Sequence, residues 1–141
     1  MSIHVVRLGS LRLEGEGLRI GTVRRPPRGV PKAELAMRNF YDVWLPDLAP
    51  SEELLKLGRT GDDEKRWRTF ARKYRAEMNR TEKRRLLDLL AAMSRQTNFS
   101  VGCYCADESR CHRSLLNELL AERGALFDQP VRSGETTGSD D

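Results

Sequence analysis

Short β-type runs and longer helical stripes of apolar residues alternate along the chain, and the change of period marks the elements. Residues 3–8 carry β-branched side chains over the length of a strand and stop at Gly9 and Ser10. Residues 18–23 read as a second strand, cut off by Arg24-Arg25-Pro26-Pro27-Arg28-Gly29. Proline removes a backbone donor and disfavours helix at the residue before it, so this stretch is a loop just past a strand end. Residues 11–17 between the two runs are loop-like. Residues 31–37 suit one or two helical turns with Pro31 at the first position. Residues 40–45 form a short apolar stretch that suits a strand. Ser51 is a good N-cap for a short helix through about Leu57, ended by Gly58 and Gly61.

The second half is more helical. Trp67, Phe70, Ala71, Tyr74 and Met78 follow a 3.6-residue period, capped by Asp62 or Asp63. Such an aromatic stripe is first of all a core face, although it could be imagined as a platform for stacking bases. After Thr81, Leu86, Leu89, Leu90 and Met93 predict another helix with these four on one face. Residues 98–104 return to strand, and 111–123 form a last leucine-rich helix stopped by Gly124. Phe99, Val101 and Cys103 alternate with small residues, which predicts a central strand buried on both faces. The order is that of a small α/β sandwich, with a mostly parallel central sheet flanked by helices. It predicts a single domain over residues 1–128 and a disordered tail over 129–141.

Composition narrows the class. A chain of 141 residues with 38% hydrophobic and 33% charged residues lies in the globular range, on its polar side. No run approaches the roughly 18 apolar residues of a membrane span, and the start lacks a charged-then-apolar signal pattern. The expected location is cytoplasmic. The net charge of +4 is uneven: residues 129–141 carry −2, leaving +6 on the rest. That balance permits contact with phosphates or nucleic acid without establishing it. Residues 62–85 hold ten Lys or Arg against five Asp or Glu. A solvated helix face with i,i+4 pairs is favoured there over a nucleic-acid surface.

Candidate chemistry is concentrated in residues 99–120, where a strand, a polar turn and a helix follow one another. All three cysteines, Cys103, Cys105 and Cys111, and one of the two histidines, His112, fall within ten residues. A helix start favours anions, and Arg113 adds a planar fork suited to phosphate or carboxylate. Three chemistries fit. The first is anion binding, with or without a thiolate nucleophile from Cys103 or Cys105; the acids Asp107 and Glu108 and the lack of glycine in the turn weaken the nucleophile. The second is zinc, disfavoured because adjacent Cys111 and His112 on a helix point about 100° apart. The third is a redox pair of Cys111 with Cys103 or Cys105. A purely structural role is the better reading for Cys103 alone and is evenly matched for His112 and Arg113. His4 reads as structural, and Asp42 is placed to orient an arginine across the strand ends.

Several of these motifs occur together in one order. They are Pro26-Pro27-Arg28-Gly29, Trp44-Leu45-Pro46-Asp47-Leu48-Ala49-Pro50-Ser51, Trp67 with Phe70-Ala71-Arg72-Lys73-Tyr74, and Cys103 followed by Cys111-His112-Arg113. From Leu18 to Gly124 the chain resembles the domain of unknown function 488 family, small proteins of bacteria and archaea. Family members carry a tryptophan-proline-arginine-glycine motif where this chain has Pro26 before Pro27-Arg28-Gly29. The resemblance implies an α/β fold and an arginine-lined pocket, and it supplies no reaction.

These readings combine into an anion-binding α/β protein. Arg24, Arg25 and Arg28 from one strand end would meet Cys111 and Arg113 from another around a phosphate- or carboxylate-bearing ligand. Any catalysis would use Cys103 or Cys105 as nucleophile and His112 as proton-transfer group. No cofactor and no metal are expected. The alternative is a non-enzymatic nucleic-acid or protein-binding module using the basic helices of residues 62–85.

Overall fold

Runs of β-branched and other apolar residues build four parallel strands: β1 (Ile3–Arg7), β2 (Leu18–Gly21), β3 (Val43–Trp44) and β4 (Phe99–Cys103). The structure is a computed structural model that describes residues 1–57, 64–104 and 111–128. The sheet order is β1-β4-β2-β3, with Val101 of β4 registered against Val5 on one side and Ile20 on the other. β4 is buried at every residue, as its alternation predicts. Four helices follow the expected order: α1 (Glu52–Leu57), α2 (Glu64–Met78), α3 (Thr81–Met93) and α4 (His112–Glu122). Residues 31–37 yield only a 3-10 turn over Lys32–Glu34, and a second one spans Pro46–Leu48. The expected caps Asp62 and Asp63 and the tail of residues 129–141 lie outside the described residues.

One face of the sheet meets the helices. Ile3, Ile20, Phe99 and Val101 share a core with Phe70, Tyr74 and Met78 of α2, Leu87 and Leu90 of α3, and the leucines of α4. The aromatic stripe of α2 is therefore core. Trp67 stacks on Phe70 at 5.7 Å between ring centroids, Phe70 on Tyr74 at 6.5 Å, and the row ends 5.8 Å from the His112 imidazole. On α3 the buried face is Leu87, Leu90 and Ala91, whereas Leu89, expected inside, is exposed. A buried stripe of leucines tolerates such a rotation of one position, because Leu86 and Leu87 compete for the same face. Ser51 caps α1 as predicted, its Oγ accepting the Leu54 N–H at 3.1 Å, an arrangement worth about 1 kcal/mol.

Strand alternation sends Ser100 and Arg19 to the opposite face. There Arg19, fully buried, lies in a bidentate pair with Glu16, both contacts at 2.9 Å. The remaining Arg19 donors reach the Ser10, Leu11 and Asn39 carbonyls, and Glu16 also accepts from the Leu13 amide and the Ser100 hydroxyl. Burial alone would raise the Glu16 pKa, but the hydrogen bond from Arg19 and those from Leu13 and Ser100 outweigh it and bring it to about 2. Gly17 makes the approach to β4 possible. Its φ is +74°, and a Cβ there would lie 2.1 Å from the Asn98 carbonyl oxygen.

Candidate functional site

At the carboxyl ends of β2 and β4 the chain opens into a cleft of about 480 Å³. Ligands of open parallel sheets sit outside the carboxyl ends of strands. Among the described residues, its walls are residues 23–28, Pro50, Leu55, Cys103, Tyr104 and His112. Proline at 26 and 27 keeps the first wall extended, and side chains from elsewhere fasten its backbone. Trp44 Nε1 donates to the Val23 carbonyl at 2.7 Å, and the Tyr104 hydroxyl donates to that of Arg25 at 3.0 Å. Burial pushes the Tyr104 phenol up, so it remains a donor at neutral pH.

The three arginines of this loop have different employment. Arg24 donates to the carbonyls of Pro46, Ala49 and Pro50 at 3.1, 3.2 and 3.0 Å, which ties the loop to the segment before α1. That segment is pinned in turn by Glu77, which accepts from the Ser51 amide at 3.0 Å and from the Ser51 hydroxyl. Arg25 pairs with Glu52 at 2.6 Å in full exposure, and this hydrogen bond holds the Glu52 carboxyl below its usual range. Arg28 is exposed, lines the cleft, and has no hydrogen-bond or ion-pair partner among the described residues.

On the facing wall the two cysteines and the histidine come together. Cys103 ends β4, Cys111 is the N-cap of α4, and His112 is its first residue. All three are at most 5% exposed. The Cys103 and Cys111 sulfurs are 2.8 Å apart, and Cys111 Sγ is 3.7 Å from His112 Nδ1. His112 Nε2 lies 2.6 Å from the Thr22 carbonyl, which can only accept, so Nε2 carries the proton and Nδ1 faces the sulfur. The objection to a shared ion fails here. Cys111 has extended backbone angles, φ −125° and ψ 150°, so it stands off the helix and its sulfur reaches the same point as the imidazole. The expected separation of 100° applies only when both residues are helical. Together the three donors can share one metal ion, or the sulfurs can be joined by oxidation. Cys105 lies outside the described residues.

Arg113 has a different described partner. It is buried, and its Nη1 donates to the Val6 carbonyl of β1 at 2.7 Å. It is not among the residues that line the cleft, whereas Arg24, Arg25, Arg28, Cys103 and His112 are. Asp42 does orient an arginine: its two oxygens accept from Arg12 at 2.9 and 3.0 Å, and one also takes the Arg19 amide. His4 lies 3.5 Å from Asp128. Sequence reasoning missed Trp44, Tyr104, Thr22 and Tyr74 as supports of the cleft. An aromatic with a polar tip beside a proline-rich loop was the available signal for the first two.

Parallel strands, helices packed on one face and a Cys-His-Arg start to the last helix define a small α/β protein with a cleft at its strand ends. The chain belongs to the DUF488 family: residues 3–124 match the DUF488-N3a family, described as the active DUF488-N3 subclade. Neither the curated proteins nor the solved structures gave a match. No helix among the described residues is long and apolar enough to cross a membrane.

Proposed function

We propose that the protein binds a small phosphate- or carboxylate-bearing ligand in the cleft between the arginine loop and the start of α4. The observation that carries this is Arg28, an exposed arginine that lines a cleft of about 480 Å³ and has no partner among the described residues. A planar fork with its donors uncommitted is suited to two oxygens of one anion. The positive end of α4 adds to the same potential, since His112, its first residue, is part of the wall. Arg25 can join by exchanging Glu52 for the ligand, because that pair is exposed and weakly held. Arg24 and Arg113 act differently, holding the loop and β1 through backbone carbonyls. The description of the matched family as active supports a cleft that acts on what it binds.

An anion bound only by the folded chain raises its melting temperature, by about 2.7 kcal/mol of stability at a hundredfold excess over Kd. Phosphate should therefore stabilise the protein, Arg28→Ala should remove that gain, and Lys73→Ala on the exposed face of α2 should keep it. Equal stabilisation of all three would be a general salt effect and would contradict a site at Arg28.

A further inference from the structure

We propose that Cys103, Cys111 and His112 hold one zinc ion at the edge of the cleft. Their donor atoms all lie within 4.8 Å of one another, and all three residues are buried. They come from different backbone settings: the end of a central strand, an extended N-cap, and the first helical residue. Rigid elements on both sides hold such donors in place without the ion, which lowers the ordering that binding requires.

The chemistry of the donor set selects the metal. Two sulfurs and an imidazole, with no carboxylate among them, suit a borderline-soft cation and disfavour magnesium or calcium, which take oxygen ligands. Zinc–sulfur bonds of about 2.3 Å and zinc–nitrogen bonds of about 2.0 Å fit donors clustered this closely after small side-chain rotations. The imidazole is already set for the purpose. Its Nε2–H is given to the Thr22 carbonyl, which directs Nδ1 to the sulfurs, and a second hydrogen bond of this kind is how ligating histidines are usually oriented. Tyr74 packs against the ring at 5.8 Å between centroids, and its hydroxyl is anchored on the Leu48 carbonyl at 2.7 Å.

The donors also lie at the cleft. Cys103 and His112 both border the cleft that Arg28 also lines. The metal site does not depend on anion binding by Arg28.

Metal content decides the matter. Protein prepared under reducing conditions without chelator should carry about one zinc per chain by elemental analysis. After zinc removal, added Co²⁺ should give thiolate-to-cobalt charge-transfer absorption saturating at about one equivalent. His112→Ala and Cys111→Ser should weaken cobalt binding by at least roughly tenfold. Because Cys111 is buried and its replacement can unfold the chain, the cobalt titration of the unmodified protein stands as the independent readout. Arg28→Ala should leave zinc content unchanged while removing phosphate stabilisation, which separates the two sites. Reduced, folded protein with neither zinc nor a cobalt–thiolate band would overturn the assignment. So would a mass two daltons low with no alkylation of Cys103 and Cys111, which would make the pair a disulfide.

Discussion

Arginines stand at both ends of strands β2 and β4, and the two ends are built on opposite plans. At the amino ends of β2 and β4, Arg19 is fully buried and each of its guanidinium nitrogens donates to Glu16 or a backbone carbonyl. At the carboxyl ends, Arg24 is committed to carbonyls, Arg25 to an exposed partner, and Arg28 to nothing among the described residues. Charge count is the same kind of statement in both places, yet only the second leaves a guanidinium facing open volume. A buried charge that is fully paired belongs to the scaffold. An arginine left uncommitted at a strand-end cleft is available to a ligand.

The contrast can be broken first at its buried end. Arg19→Ala leaves the Glu16 carboxylate buried without its main partner and should cost about 3–5 kcal/mol, read by denaturant unfolding. A cost below about 1 kcal/mol would place the pair among ordinary surface ion pairs. The acid limb of stability gives a second reading. Glu16 has its pKa lowered to about 2 from a usual value near 4.5, so its stabilisation is complete above the unfolded value. It should be lost as pH falls from about 4.5 to 2, amounting to about 3 kcal/mol, and Glu16→Gln should flatten this part of the profile. Arg24→Ala should cost less, about 1–3 kcal/mol, since it removes hydrogen bonds to three partly buried carbonyls. Arg28→Ala should change stability by no more than about 0.5 kcal/mol while removing the phosphate response.

How far the sequence disclosed this contrast depends on how local each signal is. β4, the Ser51 cap and the aromatic face of α2 were readable because alternation, capping and the 3.6 period are properties of neighbouring residues. The Arg24–Arg25–Arg28 loop was readable for the same reason, since proline fixes it just beyond a strand. What each arginine holds was not. The Glu16–Arg19 pair is completed by Ser100, 84 residues away in sequence, and residues 11–17 read only as a loop. Arg113 sits beside Cys111 and His112 in sequence, but its guanidinium goes to β1, 107 residues back. The helical angle that would separate Cys111 from His112 is one that the extended N-cap backbone does not obey.

The smallest effect concerns the exposed basic face of α2, where Lys65, Arg66, Arg68, Arg72 and Lys73 are all solvent-facing. Duplex binding there should be weak, indifferent to sequence, and steeply lost with added salt. Tight, sequence-selective binding at physiological salt would favour a nucleic-acid-binding module over an anion cleft.

Amide NMR of the protein titrated with inorganic phosphate tests the central contrast most directly. The largest shifts should fall on Arg24, Arg25, Arg28, Tyr104 and His112, with Glu16 and Arg19 unmoved and Arg28→Ala abolishing the response. Shifts confined to the basic face of α2, or centred on Arg19, would contradict the account.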